Sequence, residues 1–300
     1  MRGRIAAGLA VALAVPIAPA PAATPGVAPS EVQQGPPAFS LDEAMRHVRR
    51  LSVRIGPRVR ATSAERRAIG YVARELEGYG YRTRVRRFSV DGGTSRNLVA
   101  WWPGAERYPL IVGGHIDSVP GSPGANDNAS GIAAILEGAR ALAGLDQARL
   151  LRFVAFGSEE FGADGSHHVG SAAFVRGLGR EGRRELAGML SVDMVADGRP
   201  LLVTTAGIGP EVLADVTARR MRREGIAVSR RTTCDCSDNG PFERAGIPAA
   251  ALWSGDEPDH HEPTDVIANM SRKDLRRTGR ALRGFLLSVD ERLLARLRRA

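Results

Sequence analysis

The chain has 300 residues, of which 43% are hydrophobic and 25% are charged, values that are ordinary for a globular protein with a sizeable core. The formal net charge is +9, and Lys273 is the only lysine. Because the arginines are dispersed and neither a nucleic-acid motif nor interleaved aromatic residues accompany them, we expect no nucleic-acid partner.

Residues 1–22 have the pattern of a secretory signal peptide. The basic segment MRGR precedes the apolar run IAAGLAVALAVPIA, and small residues follow, with an A-x-A cleavage pattern ending at Ala20 or Ala22. The run is short for a membrane span, and no cysteine follows it to carry a lipid anchor. We therefore predict a secreted protein with no membrane attachment after cleavage; an uncleaved anchor is the alternative.

The remaining chain is predicted to form a flexible lead-in and one domain. Residues 23–39 are rich in proline and glycine, as flexible linkers are. No second linker or internal repeat follows, so residues 40–300 are assigned to a single domain.

Beyond residue 40, segments with helical periodicity alternate with short apolar or alternating segments that predict strands. Ser40 caps the first helix, Thr62 or Ser63 caps the second, which ends at Gly78, and Ser271 caps the last. The predicted helices cover residues 40–53, 62–78, 128–144, 171–182, 209–225, 239–246 and 271–299. The predicted strands cover residues 82–90, 95–104, 108–115, 149–160, 186–196, 200–206, 227–233 and 247–254.

This alternation predicts an α/β fold: a single α/β/α sandwich domain with a mainly parallel mixed sheet and helices on both faces. The strands at 108–115 and 149–160 are apolar on both sides, as central strands are. In such sheets a ligand site lies beyond the carboxyl ends of the strands.

Acids and histidines follow four of the predicted strands. They are His115, Asp117, Asp127, Glu159, Glu160, Asp193, Asp259, His260, His261 and Asp265. Imidazole and carboxylate donors without thiolate suit catalytic zinc, with manganese or cobalt as alternatives. These donors exceed what one ion takes, which predicts two ions sharing a bridging carboxylate. Such a site binds a hydroxide and polarises a carbonyl, while a spare carboxylate moves the proton.

Six short segments carry a family resemblance. HIDS, GANDNASG, GSEEFG, SVDM, SDNGPF and HHEPTD occur in this order within residues 95–265. The series resembles the M28 family of zinc aminopeptidases. The resemblance implies two zinc ions per chain, with Co²⁺ or Mn²⁺ as substitutes. It also implies a peptide substrate whose N-terminal bond is hydrolysed through a metal-bound hydroxide.

Position by position, the resemblance implies a set of five metal ligands. His115 and Asp193 would hold one ion, and Glu160 and His261 would hold the other. Asp127 would bridge the two ions.

The resemblance also implies roles for residues that do not bind the ions. Glu159 would be the general base, and Asp117 would orient the imidazole of His115. The family often has a cis peptide bond after the bridging acid, which here would join Asp127 to Asn128. Asp238, in SDNGPF, is expected to be structural or to lie near the substrate pocket.

Two of the ligand positions have competitors nearby. His260 and His261 compete for one role, and the family pattern, with histidine four residues before the final acid, selects His261 with Asp265 as that acid. Asp197 is the fallback for Asp193.

The chain departs from the family pattern in two segments. EEFGADGSHHVGSAAF carries an insertion, whose His167 and His168 we expect at the surface or the rim of the site. Asn239 stands where the family commonly has histidine. Both changes bear on specificity more than on chemistry.

Cys234 and Cys236 could be paired or free. A secreted chain favours a disulfide, although a bridge across one residue is strained.

Three alternative functions remain open. The same fold carries single-zinc glutaminyl cyclases and carboxypeptidases, and non-catalytic receptor-like relatives that have lost metal ligands. The complete ligand set disfavours the cyclase and the receptor. The sequence does not determine the oligomeric state.

Overall fold

The computed structural model describes residues 35–198, 200–255 and 257–300. The predicted signal peptide and residues 23–34 of the predicted lead-in lie outside these residues. The chain divides into the units Met1–Gly35 and Pro36–Ala300, and all the elements below belong to the second. Over the described part of the chain, no helix combines the length and the apolar character that a membrane crossing requires.

Helices and strands alternate along this unit. The helices are α1 (Leu41–Val48), α2 (Ser63–Gly78), α3 (Ala129–Leu142), α4 (Val169–Gly177), α5 (Gly179–Glu185), α6 (Val212–Arg223), α7 (Asn239–Arg244), α8 (Arg272–Leu287) and α9 (Glu291–Leu297). The strands are β1 (Arg82–Val90), β2 (Gly93–Trp101), β3 (Leu110–His115), β4 (Leu151–Phe156), β5 (Gly188–Asp193), β6 (Leu201–Thr205), β7 (Val228–Thr232) and β8 (Ala249–Trp253).

The strands form one mixed sheet in the order β1-β2-β4-β3-β5-β8-β6-β7. The central strands β4, β3, β5 and β8 are parallel, whereas β1 and β2 add antiparallel at one side and β6 pairs antiparallel with β8 at the other. The four central strands therefore end at the same edge of the sheet, where the loops that follow them meet.

Both faces of the central strands are buried, because alternate side chains of a strand enter different cores. Leu110 and Val112 of β3 belong to a core formed with α1, α2, α3, α6 and α8. Ile111, between them, belongs to a smaller core with Val175 of α4 and Phe242 of α7. The predicted fold class, an α/β sandwich with helices on both faces, is confirmed.

Three helices begin at their predicted caps, whereas the helices predicted over residues 171–182 and 271–299 each break in two. Ser40 and Thr62 accept hydrogen bonds from the amides at the starts of α1 and α2, and Ser271 does the same for α8. The single C-terminal helix predicted over residues 271–299 is wrong, because the chain breaks into α8 and α9. Asp290 accepts a hydrogen bond from the Leu293 amide at 2.8 Å and begins a new helix there.

Candidate metal centre

His115 is the last residue of β3, and its imidazole contacts an acid from the loop after β3 and another from the neighbouring strand β5. Its Nε2 lies 3.1 Å from Oδ1 of Asp127 and 3.2 Å from Oδ1 of Asp193, the last residue of β5. All three side chains are buried. The contact is made by Asp193, not by the fallback Asp197.

Asp127 faces two groups of side chains, one with each oxygen. Its Oδ1 contacts His115, and its Oδ2 lies 3.4 Å from Nε2 of His261. Nε2 of His261 is also 2.9 Å from Oε2 of Glu160. His115, Asp127 and Glu160 each offer one ligand atom within 4.8 Å of the others, as do Asp127, His260 and His261. The structure thus brings together all five predicted ligands.

His260 lies close to the predicted ligands as well. Its Nε2 is 3.5 Å from Oδ2 of Asp127, and its ring centroid is 3.8 Å from that of His261. Both histidines contact Asp127, but of the two only His261 also contacts Glu160. His261 therefore has the better geometry to share an ion with Glu160.

The segment that carries Asp127 is fixed by hydrogen bonds from two sides. Oδ1 and Oδ2 of buried Asp265 accept hydrogen bonds from the amides of Asn126 and Asp127, at 2.7 and 3.0 Å. Asn128 caps α3 through the amide of Gly131. The peptide bond between Asp127 and Asn128 is cis. The hydrogen bonds on either side of Asp127 therefore hold the backbone from which its side chain enters the site.

Asp117 contacts both the loop that carries Glu159 and the imidazole of His115. Its carboxylate accepts hydrogen bonds from the amides of Glu159 and Glu160, both at 3.1 Å, and so holds the start of the loop after β4. Its Oδ1 is 3.8 Å from Nδ1 of His115, whereas its main-chain oxygen lies 3.2 Å from that nitrogen. Both oxygens lie on the Nδ1 side of the imidazole, and the predicted role of Asp117 in orienting His115 stays a prediction.

Beneath the site lies the fully buried guanidinium of Arg58. It donates to the carbonyls of Ile116 at 2.8 Å, Pro123 at 2.6 Å and Gly124 at 2.8 Å. Burial lowers the pKa of Arg58 to about 10, and the surrounding carboxylates, first Asp127, oppose the shift. Arg58 therefore stays charged at neutral pH, ties down the loop after β3, and offsets part of the negative charge above it.

The density of buried acid groups shifts their pKa values. Burial raises the pKa of Glu159 and of Glu160 well above the usual range, and neighbouring carboxylates, among them Asp127, add to the effect. Burial alone would lower the pKa of His115, but the carboxylates of Asp193 and Glu159 raise it well above its usual value. So much buried like charge is costly without cations.

The acids and histidines open into a cavity of about 380 Å³. All five predicted ligands and Glu159 line it, whereas Asp117 lies behind them. The opposite wall is formed by Met194, Thr204, Ala251, Trp253, Asn239 and the segment 233–237. Cys234 and Cys236 form a disulfide in this wall, as a secreted chain favours. The buried Asp238 begins α7 beside it, and burial raises its pKa to about 8.

The position of His168 differs from the one predicted from the sequence. It is buried, and its Nε2 lies 2.9 Å from Oε1 of Glu159, so the expectation of a surface or rim position is wrong for this residue. His167 is half-buried at the rim, stacked on exposed Phe161 with 4.5 Å between ring centroids. In the sequence, His168 is marked only as one of two adjacent histidines just before a predicted helix. Nothing in that pattern shows that the loop brings residue 168 back to residue 159.

Comparisons with known proteins agree with this geometry. A model of peptidase family M28 matches residues 97–286. The sequence is 32% identical over 261 residues to leupeptin-inactivating enzyme 1 of Streptomyces exfoliatus, a match that covers 84% of this chain and 56% of that protein. The chain spans about half the length of the curated relatives it matches.

The fold resembles solved structures with different activities. BSAP, a zinc aminopeptidase from Bacillus subtilis, superposes with a TM-score of 0.77 at 19% identity, covering 86% of this chain and 97% of that one. A glutaminyl cyclase of Bacteroides thetaiotaomicron gives a TM-score of 0.73 at 20% identity, covering 85% and 99%. At these identities the likeness shows the fold alone.

Proposed function

The chain belongs to peptidase family M28, as the order of its motifs predicted, and on this premise we propose that it is a secreted aminopeptidase that uses two zinc ions. Its substrate would be a peptide with a free N-terminus, of which it would hydrolyse the first bond. In this proposal Co²⁺ or Mn²⁺ could replace zinc.

The observation that carries the proposal is the position of Asp127 between two imidazoles. One carboxylate oxygen lies 3.1 Å from Nε2 of His115, and the other lies 3.4 Å from Nε2 of His261. A carboxylate with one histidine at each oxygen is arranged to bridge two cations. Asp193 would complete one ion's ligands, and Glu160 would complete the other's.

The donor set fits zinc on two counts. It combines imidazole nitrogens with carboxylate oxygens, which are the ligands that zinc takes in catalytic sites. In addition, Oε1 of Glu160 is buried without a hydrogen-bond partner among the described residues, and a bound cation would satisfy it. When bound, the ions would polarise the scissile carbonyl and make water a better nucleophile.

The chain's own acids would handle the protons and the substrate's amine. Glu159 is buried beside the proposed ligands without being one of them, so its carboxylate is available to take a proton from the attacking water. The same carboxyl group, once it has taken that proton, would deliver it to the leaving amine. The negative wall around it would attract a protonated N-terminal amine.

Metal analysis together with Glu159→Ala tests the metal sites and the base. We expect about two zinc ions per chain in the wild type and in the variant, with nearly all turnover of amino-acid p-nitroanilides lost in the variant. Retained turnover in Glu159→Ala would reject Glu159 as the base, and fewer than two ions in the zinc-loaded wild type would reject the paired site.

A panel of free and N-blocked peptides separates the alternatives. An aminopeptidase releases the first residue and leaves N-acetylated peptides intact. Release of C-terminal residues would instead indicate a carboxypeptidase, and release of ammonia from N-terminal glutamine with one ion per chain would indicate a cyclase. A zinc-loaded chain that turns over no member of the panel would indicate a non-catalytic relative.

Secretion is part of the proposal and rests on the pattern of residues 1–22. Expression of the whole chain in a secreting host, followed by N-terminal sequencing, tests it. We expect the mature protein in the medium, beginning at residue 21 or 23. An uncleaved N-terminus retained with the cells would count against secretion.

A further inference from the structure

The loop that carries Glu159 closes on itself. The amide of His168 donates to the carbonyl of Glu159 at 2.7 Å, and the amide of Val169 donates to the carbonyl of Ser158 at 2.9 Å. Ser158 and His168 have φ of 55° and 52°, in the left-handed region that non-glycine residues rarely adopt. The chain thus turns sharply on both sides of the closure, and the inserted residues return to the point where they began.

Neighbouring side chains brace this closure from outside. Nη1 of Arg60 donates to the carbonyls of Glu160 at 2.9 Å and Ser166 at 2.7 Å. The amide of Asn97 donates to the carbonyl of Gly170 at 2.7 Å, and its oxygen accepts from the amide of Gly157 at 3.1 Å. A Cβ at Gly170 would lie 2.1 Å from the Gly157 oxygen, so the two arms of the loop meet too closely for a side chain there.

The closure puts the imidazole of His168 onto the carboxylate of Glu159. Nε2 lies 2.9 Å from Oε1, and both side chains are buried. The other ring nitrogen, Nδ1, has no hydrogen-bond partner among the described residues, and its nearest acid is Asp235, with Oδ1 at 3.9 Å. This arrangement suits a neutral imidazole that carries its proton on Nε2 and donates it to the carboxylate.

We propose that His168 is a positioning residue, whose Nε2–H holds the carboxylate of Glu159 in one orientation for proton transfer. The proposal rests on the proposed function, because it assigns a partner to the proposed base. The terminal torsion of a glutamate is broad, so an unsupported carboxylate samples several orientations. A base held in one orientation transfers a proton more effectively than one that must first rotate into place.

The adjacent histidine provides a matched control. His167 stacks on Phe161 at the rim and lies beside His168, with 4.1 Å between their ring centroids, yet it has no polar contact with Glu159. The proposal predicts an effect from one imidazole and none of that size from its neighbour.

Three zinc-loaded variants test the proposal: His168→Phe, which removes the donor, His168→Gln, whose amide nitrogen can reach the position of Nε2, and His167→Phe. We expect His168→Phe to lower kcat by roughly 10- to 100-fold with a smaller change in KM. His168→Gln should recover most of the loss, and His167→Phe, at the rim of the cavity, should lower kcat far less than His168→Phe does. Zinc content, measured separately, should equal that of the wild type in all three.

Two results would overturn the proposal: an unchanged kcat in His168→Phe, or equal losses in His168→Phe and His168→Gln, which would indicate packing instead of a donated proton. Wild-type protein without peptidase activity would instead reject the proposed function. In that event crystal structures of the variants decide, since Glu159 should adopt one orientation with glutamine at position 168 and several with phenylalanine. A single, unchanged orientation in both would refute the positioning role.

Discussion

The two halves of the candidate metal centre, one around Asp127 and one on the loop after β8, differ in how the fold holds them. In the buried half, Asp127 has only 5% of its side chain exposed, and its backbone amide donates a hydrogen bond to the carboxylate of Asp265. The other half lies on the loop after β8 and is more exposed. There, His260 and His261 have 35% and 37% of their side chains exposed. His261 also has a positive φ of 64°.

The two halves of the site therefore differ in how firmly their side chains are held. Asp265 holds the backbone amide of Asp127, and Asp117 holds that of Glu160, so folding sets the positions from which these side chains extend. The imidazoles on the exposed loop have fewer such restraints and can adjust to an ion. We therefore expect substitutions in the two halves to differ in kind: the buried half affects stability and preorganisation, and the exposed half affects occupancy of one ion.

The largest contrast is expected between the two neighbouring histidines. His261→Ala removes the imidazole that contacts both Glu160 and Asp127, so we expect loss of about one zinc ion per chain and of nearly all turnover. His260→Ala should keep both ions and lose roughly tenfold or less in kcat/KM, about 1.4 kcal/mol. Metal analysis and kinetics measure both effects. The reverse result would exchange the roles of the two residues.

In the buried half, Arg58→Met should reduce stability strongly. The change removes the donor of the buried Ile116 carbonyl and of the partly buried Pro123 carbonyl, and it leaves the Gly124 carbonyl with only the amide of Ala129. Each buried group left unsatisfied costs about 1–3 kcal/mol, so we expect a loss of about 2 kcal/mol or more in the free energy of unfolding, measured by denaturant titration. The exposed Arg54→Met is the control and should stay within about 0.5 kcal/mol of the wild type. Equal stability of the two variants would contradict the role of Arg58.

Asp265→Asn should weaken ion binding without removing a ligand. The amide can accept only one of the two hydrogen bonds that the carboxylate takes from Asn126 and Asp127. We expect roughly a 10- to 100-fold loss of zinc affinity, measured by titration against a competing chelator. Asp259→Asn, in the same loop, should leave the affinity unchanged. An unaltered affinity in Asp265→Asn would show that Asp127 needs no such support.

The smallest effect concerns the pH dependence of stability. Burial raises the pKa of Glu65 to about 7, so between the unfolded pKa of about 4.3 and 7 the folded state holds a proton that the unfolded state releases. This group's contribution to stability is therefore full at low pH and falls as pH rises through that window. Glu65→Gln, which can still bond Ser95 and the amide of Ala61, should remove a swing on the order of 2 kcal/mol between pH 5 and 8.

Chemical denaturation of both proteins at the two pH values measures this swing. The comparison uses the difference between wild type and variant, so that other titrating groups cancel. An identical pH dependence in Glu65→Gln would show that Glu65 titrates normally in the folded protein.

Much of the fold and the proposed ligand set could be predicted, because both leave local patterns in the sequence. Apolar runs of strand length marked β3 and β4, and an acid or histidine at the end of a strand marked the residues that converge. His115 and Asp193 are the last residues of their strands, so the sheet alone brings them together.

The remaining features depend on contacts that leave no local pattern. The partners of Arg58 are backbone carbonyls of residues 116, 123 and 124, and any residue type supplies a carbonyl. The contact of His168 depends on closure of a loop. The break between α8 and α9 was hidden because apolar residues such as Val289 keep the helical spacing through it, and only the cap at Asp290 reveals it.

The proposed ligands extend from position 115 to position 261, and the loop that ends with Asp265 supports the bridging acid. During synthesis, neither ion can therefore be held by its complete set until almost the whole polypeptide has emerged and its central strands have paired. In the proposed function, loading with metal would then be a late event in maturation. For a chain exported before it folds, loading would take place outside the cell, where the zinc supply would set how much of the protein becomes active.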